Sequence, residues 1–238
     1  MGKLEFETKT EKELENFLES NSSRKIINFL NLHDLYQFKN NKDFRRTFDK
    51  ASNISFIDGF IPSIYLSLTS FRKVSRLSGP KFTKRYLSSS LLSKEKKHLF
   101  LGLNNNGLKD LKKLYPHLKN PINYNLPFIS GPKFKKEEIK KIINLINSKN
   151  ICYVWIGIGS PKQNILSKEL YEKSNAKYFF NVGAAIDFLL GKKREAPEFI
   201  RFLGLEWLYR LLTDFKNARK KVWRSLISLS YLGGIKLK

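Results

Sequence analysis

A glycine-rich turn is the first place in this sequence where residue types and spacing suggest chemistry. The apolar run ICYVWI is followed, from Gly157, by GIGSPKQ. Gly157 and Gly159 lack a Cβ, so the backbone there can approach a ligand closely, and Pro161 suits the first turn of a helix. The free N–H groups of such a turn attract anions, and Gln163 lies within it. The pattern favours a phosphate or sugar of a nucleotide donor; a tight connection without a ligand is the alternative.

Two carboxylates occupy comparable positions. Asp58 and Gly59 follow the apolar run ISFI, and a carboxylate at the end of a parallel strand can act as a general base towards a substrate hydroxyl. A simple Asp-Gly turn is the alternative. Asp187 follows the small residues around Gly183 in an apolar setting, where its charge requires a partner. Ribose hydroxyls or backbone N–H groups would serve, and a helix N-cap is the alternative.

The hydrophobic pattern indicates which elements position these residues. Apolar runs, the last of them KYFFNVGAAID, read as short strands and alternate with amphipathic helical patterns. Such alternation predicts βαβ units and a mostly parallel α/β sheet. Open sheets of this kind bind their ligands beyond the carboxyl ends of the strands. The glycine-rich turn, Asp58 and Asp187 all fall at such ends.

The charge balance limits the class of partner. The 238 residues include 45 Lys and Arg against 21 Asp and Glu, a formal net charge of +24. This excess attracts polyanions: nucleic acid, an anionic membrane surface or phosphorylated substrates. No motif that reads nucleic acid is recognisable, so we expect no nucleic-acid partner.

Other motifs exclude several classes of site. Cys152 is the one cysteine, so neither a disulfide within the chain nor a Cys-rich zinc site can form. His33, His98 and His117 lack metal-ligand spacing, and neither Asp-x-Asp nor a phosphate-binding P-loop nor a dinucleotide fingerprint occurs. We expect no metal and no cofactor. The apolar runs are too short for a membrane span, and the first residues lack a secretory signal, so the sequence predicts a cytoplasmic protein.

The chain changes character after Gly191. Residues 195–238 are expected to form a basic helical appendage to a core of residues 1–194. Its cations alternate with aromatic side chains, namely Phe199, Phe202, Trp207, Tyr209, Phe215, Trp223 and Tyr231. A basic, aromatic, amphipathic segment is typical of a membrane-surface element. A C-terminal helix that covers the sheet, with its cations in solvent, is the alternative.

Several motifs, taken in order, resemble the WecG/TagA/CpsF family of glycosyltransferases. They are FRRTFDKASNISFIDG, RLSG, GIGSPKQ, NVGAAIDFLLGK and GLEWLYRLL. The resemblance implies a Rossmann-like domain with a C-terminal appendage that docks at the inner face of the membrane. It implies inverting, metal-independent transfer of an N-acetylhexosamine, ManNAc-like, or a related sugar from a UDP-sugar to an acceptor on undecaprenyl diphosphate. The products would enter teichoic acid, capsule or exopolysaccharide synthesis, and the resemblance allows a homo-oligomer.

The resemblance also implies residue roles. Asp58 would be the catalytic base that takes the proton of the acceptor hydroxyl. The implied donor-binding residues are Gly159, Pro161, Gln163, Gly183 and Asp187. Those implied for the acceptor or for a diphosphate are Asn31, Arg210 and Arg219. Within these sets, Gln163 would contact the donor sugar or diphosphate, Asp187 and Gly183 would line the nucleotide pocket, and Arg210 would neutralise diphosphate charge.

The sequence departs from the family pattern mainly on the acceptor side. Phe29 stands where a small polar residue is common, Ile61 replaces a glycine after the proposed base, Asn164 replaces a glutamate, and Glu195 replaces an arginine. These changes predict a retained UDP-sugar with a different sugar or acceptor. They also motivate a second hypothesis, a non-catalytic basic protein that binds a membrane or another polyanion on a glycosyltransferase scaffold.

Overall fold

The computed structural model describes residues 3–89, 96–197, 199–200, 206–213 and 215–238. Within them, strands β1 to β8 span Leu4–Phe6, Lys25–Leu30, Asn53–Ile57, His98–Leu101, Ile122–Tyr124, Tyr153–Ile156, Tyr178–Asn181 and Ile235–Leu237. Helices α1 to α11 span Glu11–Ser20, Leu32–Asn40, Lys42–Arg46, Phe60–Ser70, Gly79–Ser88, Asn105–Leu114, Lys136–Ser148, Lys162–Lys173, Ala185–Leu189, Glu206–Thr213 and Phe215–Ile227. A 3₁₀ helix, Ser228–Gly234, precedes β8.

Six strands form one parallel sheet in the order β3-β2-β7-β6-β4-β5. Helices pack on both faces of the sheet, which explains why its strands read as continuous apolar runs rather than as alternating ones. The predicted mostly parallel, Rossmann-like α/β fold is therefore confirmed. Because all six strands point the same way, their carboxyl ends share one edge of the sheet.

Aromatic side chains fill one face of this sheet. The rings of Trp155 and Phe180 stack with centroids 4.2 Å apart, and Phe29 lies 5.3 Å from Phe82 and 6.0 Å from Phe56. Phe29 is 6% exposed, so its side chain belongs to the core. The other face is mainly aliphatic and is covered by α7 and α8.

A second, two-stranded sheet joins the two ends of the chain. β1 and β8 pair in parallel, with Leu4 opposite Ile235 and Phe6 opposite Leu237. The N–H of Glu7 continues from β1 to the carbonyl of Ser55 in β3 at 2.9 Å. Helix α11 and the 3₁₀ helix pack against α2. The C-terminal segment thus contacts the core through backbone pairing as well as through helix packing.

One predicted strand is shorter than the sequence suggested. The run KYFFNVGAAID is a strand only over Tyr178–Asn181, and the rest forms a turn and the short helix α9. Asp187 therefore lies in a helix. Within the described ranges, no helix combines the length and apolar character that crossing a membrane requires.

Candidate active site

The loops that follow four neighbouring strands meet at the carboxyl edge of the large sheet. The N–H of Asp58, after β3, donates to the carbonyl of Leu30 at the end of β2 at 2.8 Å. On the other side of β2, a Cβ placed on Gly157 would lie 3.1 Å from the carbonyl oxygen of Gly183. The structure thus brings the loops after β3, β2, β7 and β6 together, in that order.

Gln163 joins the loop after β6 to the loop after β7. Its Oε1 accepts the N–H of Gly159 at 3.1 Å and the N–H of Gly183 at 3.0 Å. Both glycines have positive φ, +81° and +57°, a backbone conformation that favours glycine. The Gln163 side chain is buried. Its oxygen is therefore occupied, and only Nε2, which has no acceptor among the described residues, is left for a ligand.

Helix α8 begins at the position that the glycine-rich turn predicts for a helix start. Pro161 is its N-cap residue and follows a cis peptide bond after Ser160. No side chain of the described residues caps this helix start, so its dipole is available to an anion. Lys162 turns away from the turn, because its Nζ donates to the carbonyl of Ile129 at 2.5 Å.

Asp58 lies beside a cation that the sequence reasoning gave no role. Nε of Arg76 is 3.8 Å from Oδ1 of Asp58, and the same guanidinium donates a hydrogen bond through Nη2 to the carboxylate of Glu206. The side chains of Asp58 and Arg76 are each 21% exposed. Arg76 comes from the RLSG motif after α4, and Glu206 begins α10. The motif quoted for the resemblance was the only sequence signal for this contact.

Asn31 begins α2 at the same edge. Its Oδ1 accepts the N–H of His33 at 2.9 Å, and its own N–H donates to Oδ2 of Asp34 at 2.9 Å. Burial raises the pKa of Asp34 above its usual value, although the Ser160 hydroxyl and the Asn31 N–H act in the opposite direction. Asp34 thus caps the start of α2 through the N–H of Asn31. The Nδ2 of Asn31 donates to no acceptor in the described part of the chain.

The charge of Asp187 has a protein partner. Nζ of Lys193 lies 2.8 Å from Oδ2 of Asp187, whose side chain is about one-third exposed. The N-cap of α9 is Ala184, so the N-cap alternative for Asp187 is wrong. Gly183 donates its N–H to Gln163 and lies two residues before the start of α9. Across the described residues, no group of three or more His, Cys, Asp and Glu is placed to share a metal ion.

The C-terminal helices bring cations to the start of α2. Burial, and then the charges of Lys221 and Arg224 on α11, lower the pKa of His33 to about 4. The sequence pattern did not indicate these two residues as part of the site. It selected Arg219, which is exposed on α11 and has no described contact with the other site residues, and Arg210 in α10, whose side chain lies outside the described part of the structure.

Buried amides hold the strands beneath the site. Oδ1 of Asn28 in β2 accepts Nδ2 of Asn181 in β7 at 2.8 Å and Nδ2 of Asn164 in α8 at 2.9 Å. Asn28 in turn donates to Oδ1 of Asn53 in β3 at 2.9 Å. Asn164, one of the departures from the family pattern, is therefore a donor in this network rather than a ligand contact.

A comparison with protein-family models agrees with the α/β fold. The model of the glycosyl transferase WecG/TagA/CpsF family matches residues 3–234. The match covers the six-stranded sheet, the loops at its carboxyl edge and the helices α10 and α11. Because it spans nearly the whole chain, the chain belongs to the WecG/TagA/CpsF family of glycosyl transferases.

Proposed function

We propose that this chain moves an N-acetylhexosamine, ManNAc-like, or a related sugar from a UDP-sugar to a hydroxyl of a lipid-linked acceptor, with inversion at the anomeric carbon. The observation that carries the proposal is the meeting of Asp58 with the loops joined by Gln163 at one edge of the sheet. The edge supplies a carboxylate on one side and an uncapped helix start on the other. These are the two groups that such a transfer needs, a base for the acceptor and an anion site for the donor.

On the donor side, the diphosphate would lie against the start of α8. The backbone of Gly159 and Pro161 forms that helix start, and the Nε2 of Gln163 is an open donor beside it. Asp187, partly exposed beyond Gly183, would accept ribose or base hydrogen bonds at the far end of the nucleotide. Arg210 and Arg219 would neutralise the charge of a diphosphate.

On the acceptor side, Asp58 would act as the general base. As the acceptor oxygen attacks the anomeric carbon, Asp58 would take its proton, a carbon–oxygen bond would form, and the bond to UDP would break. Arg76 is within 3.8 Å and would hold the Asp58 carboxylate in position. The open Nδ2 of Asn31 would donate to the acceptor.

We further propose a peripheral position at the inner face of the cell membrane and a role in cell-surface polysaccharide synthesis. Residues 1–194 would form the catalytic core and residues 195–238 an appendage, and a homo-oligomer is compatible with this arrangement. Several exposed apolar side chains on the appendage support membrane contact, namely Leu208, Leu212, Phe215, Trp223 and Leu226. Such side chains beside cations suit an anionic lipid surface.

One of the departures behind the non-catalytic alternative lies in the core. Phe29 replaces a small polar residue of the family pattern, but its ring packs between Phe56 and Phe82 in the core. It therefore does not fill the acceptor side of the edge.

Calorimetric titration and a transfer assay test the proposal. We expect binding of UDP and of one UDP-N-acetylhexosamine, with GDP and NAD as negative controls, and transfer to a polyprenyl-diphosphate-linked sugar. Binding of the UDP-sugar without transfer to any lipid-linked acceptor would favour the non-catalytic alternative. The absence of binding to every uridine nucleotide would contradict the proposed donor.

A further inference from the structure

Helix α4 presents an apolar stripe to solvent. Phe60, Ile64 and Leu68 follow one another at four-residue spacing and are 38%, 42% and 70% exposed. Phe71, the C-cap residue in the left-handed region, is 95% exposed. The opposite side of α4 is buried through Pro62, Ser63 and Leu66. We call Phe60, Ile64, Leu68 and Phe71 the α4 stripe.

The chain segment that contains the α4 stripe carries charges of one sign only. Helix α4 contains no charged residue, and residues 59–94 contain seven Lys and Arg and no Asp or Glu. Arg72 and Lys73, which directly follow Phe71, are exposed and form no ion pair within the described residues. Lys81 and Arg85 are turned to carboxylates of α1 instead. An apolar helix face beside unpaired cations is the composition of a segment that lies in the interface of an anionic bilayer.

We propose that the α4 stripe, with Arg72 and Lys73, docks on an anionic lipid bilayer and brings a membrane-bound acceptor to Asp58. The proposal rests on the proposed function for the identity of that acceptor. Helix α4 begins two residues after Asp58, and its eleven residues extend about 16 Å. The loop after α4 then returns, so that Arg76 reaches Asp58. Lipid held along the stripe would therefore lie next to the proposed base.

A second copy of the chain fits the α4 stripe less well. A two-fold contact places the same surface of each copy against the other. Such a contact would bring Arg72 and Lys73 close to their own copies, in a chain of net charge +24. Like charges directly opposed across an interface disfavour it, whereas the same cations attract phosphate headgroups.

Co-sedimentation of the full-length protein with vesicles tests the proposal. The vesicles contain phosphatidylcholine alone or phosphatidylcholine with phosphatidylglycerol. The variant Leu68→Ser/Phe71→Ser removes the outer half of the stripe. The matched control is Leu114→Ser/Phe128→Ser, because these two side chains are 53% and 94% exposed on other elements. Arg72→Gln/Lys73→Gln tests the charge contribution. Thermal unfolding and titration with UDP verify that each variant is folded and retains its nucleotide site.

We expect the wild type and the control to bind vesicles that contain phosphatidylglycerol. Leu68→Ser/Phe71→Ser should bind these vesicles at least about tenfold more weakly. Transfer of one large apolar side chain from water to an apolar phase changes the partition constant by roughly tenfold or more. Arg72→Gln/Lys73→Gln should lose roughly tenfold on the anionic vesicles alone. Unchanged vesicle binding by Leu68→Ser/Phe71→Ser would overturn the proposal. So would a lipid-free dimer that this variant converts to a monomer in analytical ultracentrifugation. Vesicle binding that depends on the α4 stripe, without any binding of uridine nucleotides, would contradict the proposed function and would still support the docking surface.

Discussion

The side-chain carbonyl oxygen of Gln163 and the backbone N–H of Gly183 lie 3.0 Å apart, across the loops that follow two adjacent strands. The same oxygen also accepts the N–H of Gly159. Gln163 is therefore first a connector that sets the separation of two loops. In the proposed function, any direct contact with the sugar donor would come from its Nε2.

Two substitutions of Gln163 separate these roles. Gln163→Leu leaves the N–H groups of Gly159 and Gly183 without their acceptor, and we expect the free energy of unfolding to fall by about 1–3 kcal/mol. Gln163→Glu retains the acceptor oxygens but lacks the amide donor, so it should restore most of the stability without restoring UDP-sugar affinity. Urea unfolding and calorimetry measure the two effects. Equal stability of wild type and Gln163→Leu would show that the hydrogen bonds of Gln163 to Gly159 and Gly183 do not stabilise the fold.

Asp58→Asn should abolish most of the transfer without unfolding the protein. Asn is similar in size but cannot accept a proton, and loss of a general base lowers kcat by about 10²–10⁴-fold. Steady-state kinetics at saturating donor measure this change, and UDP-sugar affinity should stay close to that of the wild type. Asp110→Asn, on the exposed side of α6, is the matched control. Full activity of Asp58→Asn would refute the assignment of the base.

The contact between Arg76 and Glu206 should couple α10 to the core. The pair is partly shielded from solvent, so we expect a coupling free energy of about 1 kcal/mol in a double-mutant cycle of Arg76→Gln and Glu206→Gln. Glu206→Gln alone should speed amide hydrogen exchange in Glu206–Thr213. Strictly additive effects of the two substitutions would mean that α10 is held by other contacts.

The pH dependence of stability should carry a contribution from His33. Its pKa is about 4 in the folded protein, because burial and the charges of Lys221 and Arg224 disfavour the protonated ring. The ordinary value of about 6.5 applies when the chain unfolds. Between these values the unfolded state binds more protons, so stability should fall as pH drops from about 6.5 towards 4, by up to about 3 kcal/mol. Urea unfolding at a series of pH values should show a shallower slope for His33→Gln, and an unchanged slope would argue against the buried neutral ring.

The main features of the fold follow from the sequence alone. A parallel strand that is covered on both faces is mostly apolar, so five of the six strands of the large sheet are visible as apolar runs, and the short edge strand β5 is not. Glycine, asparagine and aspartate after those runs identify the carboxyl edge. The start of α8 at Pro161 and the position of Asp58 after β3 follow from this local pattern.

The parts that could not be predicted depend on tertiary contacts or on very short elements. Helix α9 has five residues, less than two turns, so its apolar residues show no helical period and Asp187 was assigned to a strand. Arg76 belongs to a loop, and only the return of the chain after α4 brings it to Asp58 and Glu206. The amide network of Asn28, likewise, joins residues from four elements that are far apart in sequence.

Strand β7 enters the sheet between β2 and β6, two strands that lie far from one another in the chain. During synthesis, the edges of β2 and β6 that β7 later covers stay unpaired until residues 178–181 have left the ribosome. Open edges of apolar strands are sites of aggregation, and pairing over such a distance is slow. The loops that Gln163 connects can come together only after this last central strand has joined. A released fragment that lacks β7 would therefore have neither a complete sheet nor the proposed donor site.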